Sequence, residues 1–182
     1  MLIHTATYTE AKELIKRLEL KRADSRLFKI YQNEAFILII SGIGKIDAAA
    51  ATAYALTRYP HIEKAVNFGS CAAKREFQLG QLLNAKKIVD MDDHKVYRSS
   101  ICDGLPNITI GTYSEPATKS KFDAADMEAS AFAKVCIRFG VEFRSFKIVS
   151  DWFEPNSVSS KLVQSLILDN IDEISNILIS QK

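Results

Sequence analysis

The chain has 182 residues, 47% of them hydrophobic and 25% charged, a globular composition able to bury a full core and read here as one domain over residues 1–182. A net charge of +2 with scattered lysines and arginines argues against a nucleic-acid partner, and no apolar run approaches a membrane span. The N-terminus lacks the basic start and long apolar core of a signal peptide. Cys71, Cys102 and Cys136 are odd in number and lie at no ligand spacing, which fits a reducing cytoplasm rather than a disulfide framework. His4, His61 and His94 form no HxxxH-like pair, so no metal site is expected.

In chain order, "MLIHTA" reads as a strand and "TEAKELIKRLEL" as a helix, with Thr7 and Glu10 in capping-box spacing. "LFKIYQNEAFILII" reads as a hairpin turned at Gln32-Asn33-Glu34. "SGIGK" leads into the alanine-rich helix "IDAAAATAYALTRY", stopped by Pro60. "KAVNFGS" is a short buried strand, followed by strands in "GQLLNAKKIVDM" and "NITIGTY". "DAADMEASAFAKVC", from Asp123, reads as a helix that ends at Gly140, a natural C′ residue. Spacings of four, three and four then set Glu128, Phe132, Val135 and Phe139 on one stripe. "FRSFKIVSD" is a last buried strand, and "SVSSKLVQSLILDNIDEISNILIS" one long amphipathic helix with Ser157 as N-cap. Alternating strands and helices predict an α/β domain, a three-layer α/β/α sandwich around a central mixed sheet.

Ligands in such sheets sit outside the carboxyl ends of strands, where the polar residues of this chain collect. Glu10 follows the first strand and either closes its capping box or has a catalytic role. The glycines of Ser41-Gly42-Ile43-Gly44-Lys45 serve a tight turn and close helix packing. That segment has neither the third glycine of a dinucleotide fingerprint nor the spacing of a P-loop. Ser70, after Asn67-Phe68-Gly69, is either a turn residue or part of a site, and Asp151, after Ser150, either a cap or an acid. Glu128 raises the same choice. A carboxylate among apolar neighbours needs a partner, which is water at the first helical turn or a ligand rich in hydroxyls.

The segments "SGIGKIDAAAATAYAL", "AVNFGSCAA" with "QLGQLLNAKKIVDMDDH", "ADMEASAFAKVC" and "FKIVSDW" occur in the order found in the nucleoside phosphorylase superfamily. They resemble most the 5′-methylthioadenosine/S-adenosylhomocysteine nucleosidases, with the futalosine hydrolases close by, and "TATYTEAKEL" is similar to the start of both. The resemblance covers nearly the whole chain and implies a nucleoside phosphorylase-like fold. It also implies that Glu10 activates the attacking water and that Ser70, with the backbone at Gly69, contacts water or sugar. Met127 and Glu128 match a Met-Glu pair whose glutamate accepts hydrogen bonds from the ribose hydroxyls. Ser150 and Asp151 match a strand-end pair whose aspartate protonates the purine at N7.

Relatives stack a phenylalanine on the base; after "NITIG" the corresponding candidates here are Tyr113 and Phe122. The chain is shorter than typical members between His94 and Met127, and it has Ala72-Ala73 where relatives have at least one glycine.

The implied chemistry is breakage of an N-glycosidic bond, which puts positive charge on the ribose and negative charge on the leaving base. An acid at the base and a carboxylate with water at the sugar address both ends, without metal or organic cofactor. To serve as the acid, Asp151 must stay protonated, which burial behind Trp152 and Phe153 favours, while Glu10 must remain ionised. Phosphorylases of the superfamily carry an arginine just before the loop serine; here that place is Asn67-Phe68-Gly69-Ser70, which favours hydrolysis. The resemblance thus implies a purine nucleosidase acting on a small-molecule 5′-modified adenosine-type or futalosine-type nucleoside, in a cytoplasmic homodimer. A phosphate-dependent phosphorylase and a non-catalytic nucleoside-binding protein are the alternatives.

Overall fold

The computed structural model describes residues 1–100 and 104–180, so the expectation for Cys102 lies outside the described residues. Strand β1 (Leu2–Thr5) is wholly buried and runs into helix α1 (Tyr8–Arg17). The capping box forms as its spacing predicts: Thr7 Oγ1 accepts from the Glu10 amide at 3.3 Å and the Glu10 carboxylate accepts from the Thr7 amide at 3.0 Å. A short β2 (Lys21–Arg22) precedes the hairpin of β3 (Lys29–Gln32) and β4 (Ile37–Ile40). Asn33 shapes its turn by accepting from the amides of Ala35 and Phe36.

Helix α2 (Lys45–Arg58) is followed by β5 (Lys64–Ala73), β6 (Leu82–Asp90), β7 (Val96–Arg98) and β8 (Asn107–Thr112). Then come β9 (Ala124–Asp126), α3 (Ala129–Phe139), β10 (Glu142–Asp151), α4 (Ser160–Asp169) and α5 (Ile171–Ser180).

Among the described residues ten strands form one mixed sheet flanked by helices. β1 lies parallel between β4 and β5, and β5 is also parallel to β10. The rest is not an open sheet. β10 pairs with β6, β6 with β8, β8 with β9, and β9 returns to β5, closing a five-strand barrel. Closure depends on strand length. β5 and β10 each run ten residues, so β5 pairs with β1 through Ala65–Asn67 and with β9 through Ala72–Ala73. Register shifts between Val149 and Asp151 and between Asn84 and Lys87 supply the bends a closed sheet needs.

Side-chain alternation along β5 and β10 splits the core in two. Val66, Phe68, Phe146 and Ile148 join a cluster with Leu14 and Ile167 of α1 and α4. Ala65, Cys71, Phe143 and Val149 join one with Ala51, Ala55 and Phe132 of α2 and α3.

Two helix expectations are corrected. Residues 124–126 are strand, because they pair with both β5 and β8, so α3 starts only at Ala129 with Glu128 at its N-cap position. Glu128 therefore stands outside the helical stripe, while Phe132, Val135 and Phe139 all lie in α3, where Phe132 is fully buried and Phe139, in the last turn, is 46% exposed. Gly140 does end the helix, in the left-handed conformation at φ 70°. The closing segment is two helices. Asn170 interrupts it, its amide bonding back to Ile167 and Leu168 and its side chain to Leu166 O. Ser157 belongs to a 3-10 turn, and Ser159 is the cap, accepting from the Leu162 amide at 3.1 Å. "KAVNFGS" is also longer than expected, because its last residues pair with β9.

Candidate active site

β1 ends beside the middle of the longer parallel strand β5, and the segment after β1, with the carboxyl-terminal parts of β5 and β10, helps surround a cavity of about 350 Å³. Glu10, Ser70, Met127, Glu128, Ser150 and Asp151 all line it. Residues predicted from four separate stretches of sequence thus share one wall.

Glu10 is 4% exposed and does two jobs. Oε2 accepts from the Ala6 and Thr7 amides at 3.1 and 3.0 Å and from Thr7 Oγ1 at 3.1 Å. Oε1 reaches across to β5, accepting from the Ser70 amide at 2.8 Å and from its hydroxyl at 3.0 Å. Capping and site geometry are therefore one arrangement. Gly69 makes room for it: a Cβ there would sit 3.0 Å from Glu10 Oε1.

Glu128 is held by the "SGIGK" turn, Oε1 accepting from the Gly44 amide at 2.8 Å. Gly42 and Gly44 both have φ near +100°, which a side chain would strain, so this turn requires glycine. Burial is the first cause pushing the Glu128 carboxyl up to about 7, and the charges of Asp126 and Glu10 add to it. Lys147 and the Gly44 hydrogen bond oppose the rise.

Asp126 caps α3 in place of Glu128: its Oδ2 accepts from the Ala129 amide at 2.8 Å, while Oδ1 accepts from Thr112 Oγ1 at 2.7 Å. It is ion-paired at 2.7 Å with Lys147, both side chains 1% exposed or less. Sequence reasoning missed this pair. A lone lysine inside the apolar run of β10 was the available signal, since such a residue needs a buried partner. Near it His4 is kept neutral, its pKa lowered to about 3 by burial and then by Lys147. His4 Nδ1 meets Asn67 Nδ2 at 3.0 Å and Asn67 Oδ1 accepts from Ser145, so Asn67 turns toward these residues and not into the cavity.

At the β10 end, Asp151 is 6% exposed. Oδ2 accepts from Ser150 Oγ at 2.9 Å and Oδ1 from the Glu154 amide at 2.9 Å. Phe153 adopts φ 62° within this turn, a conformation that costs a bulky residue energy and persists only where its surroundings impose it. Trp152 is anchored by its Nε1 to Phe77 O.

Tyr113 does not line the cavity. Its ring lies against Gly111 and its hydroxyl donates to Ser120 Oγ at 3.1 Å. The wall after β8 consists instead of Pro116 and Ala117, with Phe122 also packed at Gly111. Among the described residues no lysine or arginine lines the cavity, whereas Glu10, Asp126, Glu128 and Asp151 do.

No protein-family model matches the sequence, and no curated protein matches it significantly. Solved structures define the fold class. The chain is similar to the 5′-methylthioadenosine/S-adenosylhomocysteine nucleosidase of Neisseria meningitidis in complex with methylthio-immucillin-A, with 98% of each chain covered, TM-score 0.84 and 19% identity. It is also similar to the Helicobacter pylori nucleosidase with butyl-thio-DADMe-immucillin-A (TM-score 0.83, 17% identity, 98% of this chain and 97% of that one). A futalosine hydrolase mutant of Helicobacter pylori matches at TM-score 0.76 and 16% identity, over 94% of this chain and 98% of that one. The chain therefore has the fold of these nucleosidases.

Proposed function

We propose that this protein is a purine nucleosidase, an N-ribosyl hydrolase of 5′-modified adenosine-type or futalosine-type nucleosides. One observation carries the reading: a cavity at the strand ends is lined by Glu10, Glu128 and Asp151 together and, among the described residues, by no cationic side chain. Glu10, fixed by the Ser70 amide and hydroxyl, orients and deprotonates the attacking water. Met127 and Glu128 hold the ribose, the carboxylate accepting from its hydroxyls. Asp151, steadied by Ser150 and the Glu154 amide, donates a proton to the purine N7 as the C–N bond breaks. Water then supplies the new C–O bond, and the base leaves neutral.

Hydrolysis is favoured over phosphorolysis by charge. A phosphate dianion is rewarded by arginine or lysine hydrogen bonds, and a carboxylate-lined cavity repels it. On this reading residues 1–182 form a single nucleoside phosphorylase-like domain, and the two helical groups support a three-layer description of its open half. A cytoplasmic homodimer belongs to the same reading; Ile43 and Ile46, 60% and 85% exposed next to the site, support a covered face there.

The test is base release from methylthioadenosine, S-adenosylhomocysteine, adenosine, inosine and a futalosine analogue, with and without phosphate. Phosphate-independent release of base is expected. Strict phosphate dependence would make the protein a phosphorylase. Ligand-induced thermal stabilisation without release would make it a nucleoside-binding protein.

A further inference from the structure

Resting on the nucleosidase reading, we propose that Lys45 is a positioning residue that aims Glu128 at the ribose, through a clamp with Asp90 and Ser130. The "SGIGK" turn and the start of α3 meet at the hydrogen bond from the Gly44 amide to Glu128 Oε1 at 2.8 Å. The two segments that make this bond are tied to the same carboxylate. Lys45, directly after the donor, places Nζ 2.7 Å from Asp90 Oδ1. Ser130, two residues after the acceptor, donates from Oγ to Asp90 Oδ2 at 2.7 Å. Asp90 ends β6, a strand of the closed barrel, so the tie is anchored to rigid structure.

The pair is well sheltered for an ion pair at the edge of a fold, with side chains 15% and 14% exposed. Burial alone would raise the Asp90 carboxyl, but the bonds from Lys45, Ser130 and the Asp92 amide outweigh it and hold Asp90 at about 2. The clamp therefore stays charged over the whole working pH range.

The clamp also reaches the segment after β8. Lys45 Nζ lies 2.8 Å from Asp92 Oδ2, which accepts from Ser114 Oγ at 2.7 Å. Ser114 precedes Pro116 and Ala117 of the cavity wall. One ammonium thus ties together the turn that holds Glu128 and the loop that leads to Pro116 and Ala117. Neither glycine cap can do this, because Gly44 at the α2 N-cap has no side chain.

Lys45→Met and Lys45→Arg test the assignment. In Lys45→Met the Gly44 amide is expected to exchange with solvent at least about tenfold faster by nitrogen-15 NMR, the loss of one charge-assisted hydrogen bond. KM for methylthioadenosine rises by about tenfold with a smaller change in kcat, and Lys45→Arg restores most of it. With the 2′,3′-dideoxy analogue, which offers Glu128 no hydroxyls, the same substitution leaves KM within about twofold. Gly44 exchange unchanged in Lys45→Met overturns the clamp, as does a fall in melting temperature with KM unchanged. A wild-type protein that cleaves no nucleoside, yet loses Gly44 protection in Lys45→Met, removes the nucleosidase reading and leaves the clamp standing.

Discussion

The carboxylate of Glu10 accepts from both the amide and the hydroxyl of Ser70, at 2.8 and 3.0 Å, while its other oxygen caps α1. A residue that belongs to a local helix-start motif thereby fixes a strand residue sixty positions away. The shared carboxylate couples stability to activity. Glu10→Gln cannot accept at both oxygens, so it is expected to lose about 1–2 kcal/mol of stability. It is also expected to lose turnover by about a hundredfold or more, since the amide cannot take a proton from water. Chemical denaturation and kcat on the same preparation check both; a stable variant with turnover within a few-fold of wild type contradicts the assigned base.

Asp151→Asn retains an acceptor for the Glu154 amide but has no acidic proton to give. Its fold is expected to survive, with turnover lower by about a hundredfold to ten-thousandfold. Ligand binding by thermal shift separates the two effects: the variant still binds a nucleoside it no longer cleaves. Full activity in this variant would mean that the leaving base is protonated by another group.

Glu128 gives a signed pH dependence. Its folded pKa, pushed up to about 7, stands above the ordinary 4.5, so the folded state binds more protons than the unfolded chain between those values. The resulting stability is fully present below about 4.5 and is lost as pH rises through about 7. At about 1.4 kcal/mol for each pH unit between the two values, the amount is on the order of 3 kcal/mol. The neutral, buried His4 contributes the opposite slope below about pH 6.5, so the Glu128 decline is expected in the difference between wild type and Glu128→Gln, which should shrink in denaturant unfolding from pH 4.5 to 8. Nucleoside affinity should move the other way, strengthening as Glu128 ionises, because ribose hydroxyls donate best to a carboxylate.

The buried Lys147–Asp126 pair predicts a strong asymmetry between single and double replacements. Lys147→Met strands a buried carboxylate that also caps α3, and is expected to cost about 3–5 kcal/mol. Adding Asp126→Asn removes the orphaned charge while keeping the acceptor for the Ala129 amide, and should recover a substantial part of that loss. Equilibrium unfolding of both variants decides it; equal destabilisation would show that the pair contributes no mutual compensation.

Local chemistry in the sequence determined the Thr7–Glu10 capping box, the Asn33 turn and the Gly140 helix end, because each depends on residues within a few positions. It also identified Glu10, Ser70, Glu128 and Asp151 as polar groups at element ends, which the structure brings to one cavity. Tertiary structure alone decided what those groups touch. Residues 124–126 sit in a sequence that reads as helix, yet β5 and β8 offer their backbones partners on both sides, and two ladders override the local pattern. That strand moves Glu128 from a helix face to an N-cap position, opposite Gly44. Tyr113 turns away because Gly111 leaves a surface for its ring, a vacancy that only folding creates. Asp126 and Lys147 carry no shared spacing, and they meet because the sheet closes into a barrel and buries the two opposite charges together.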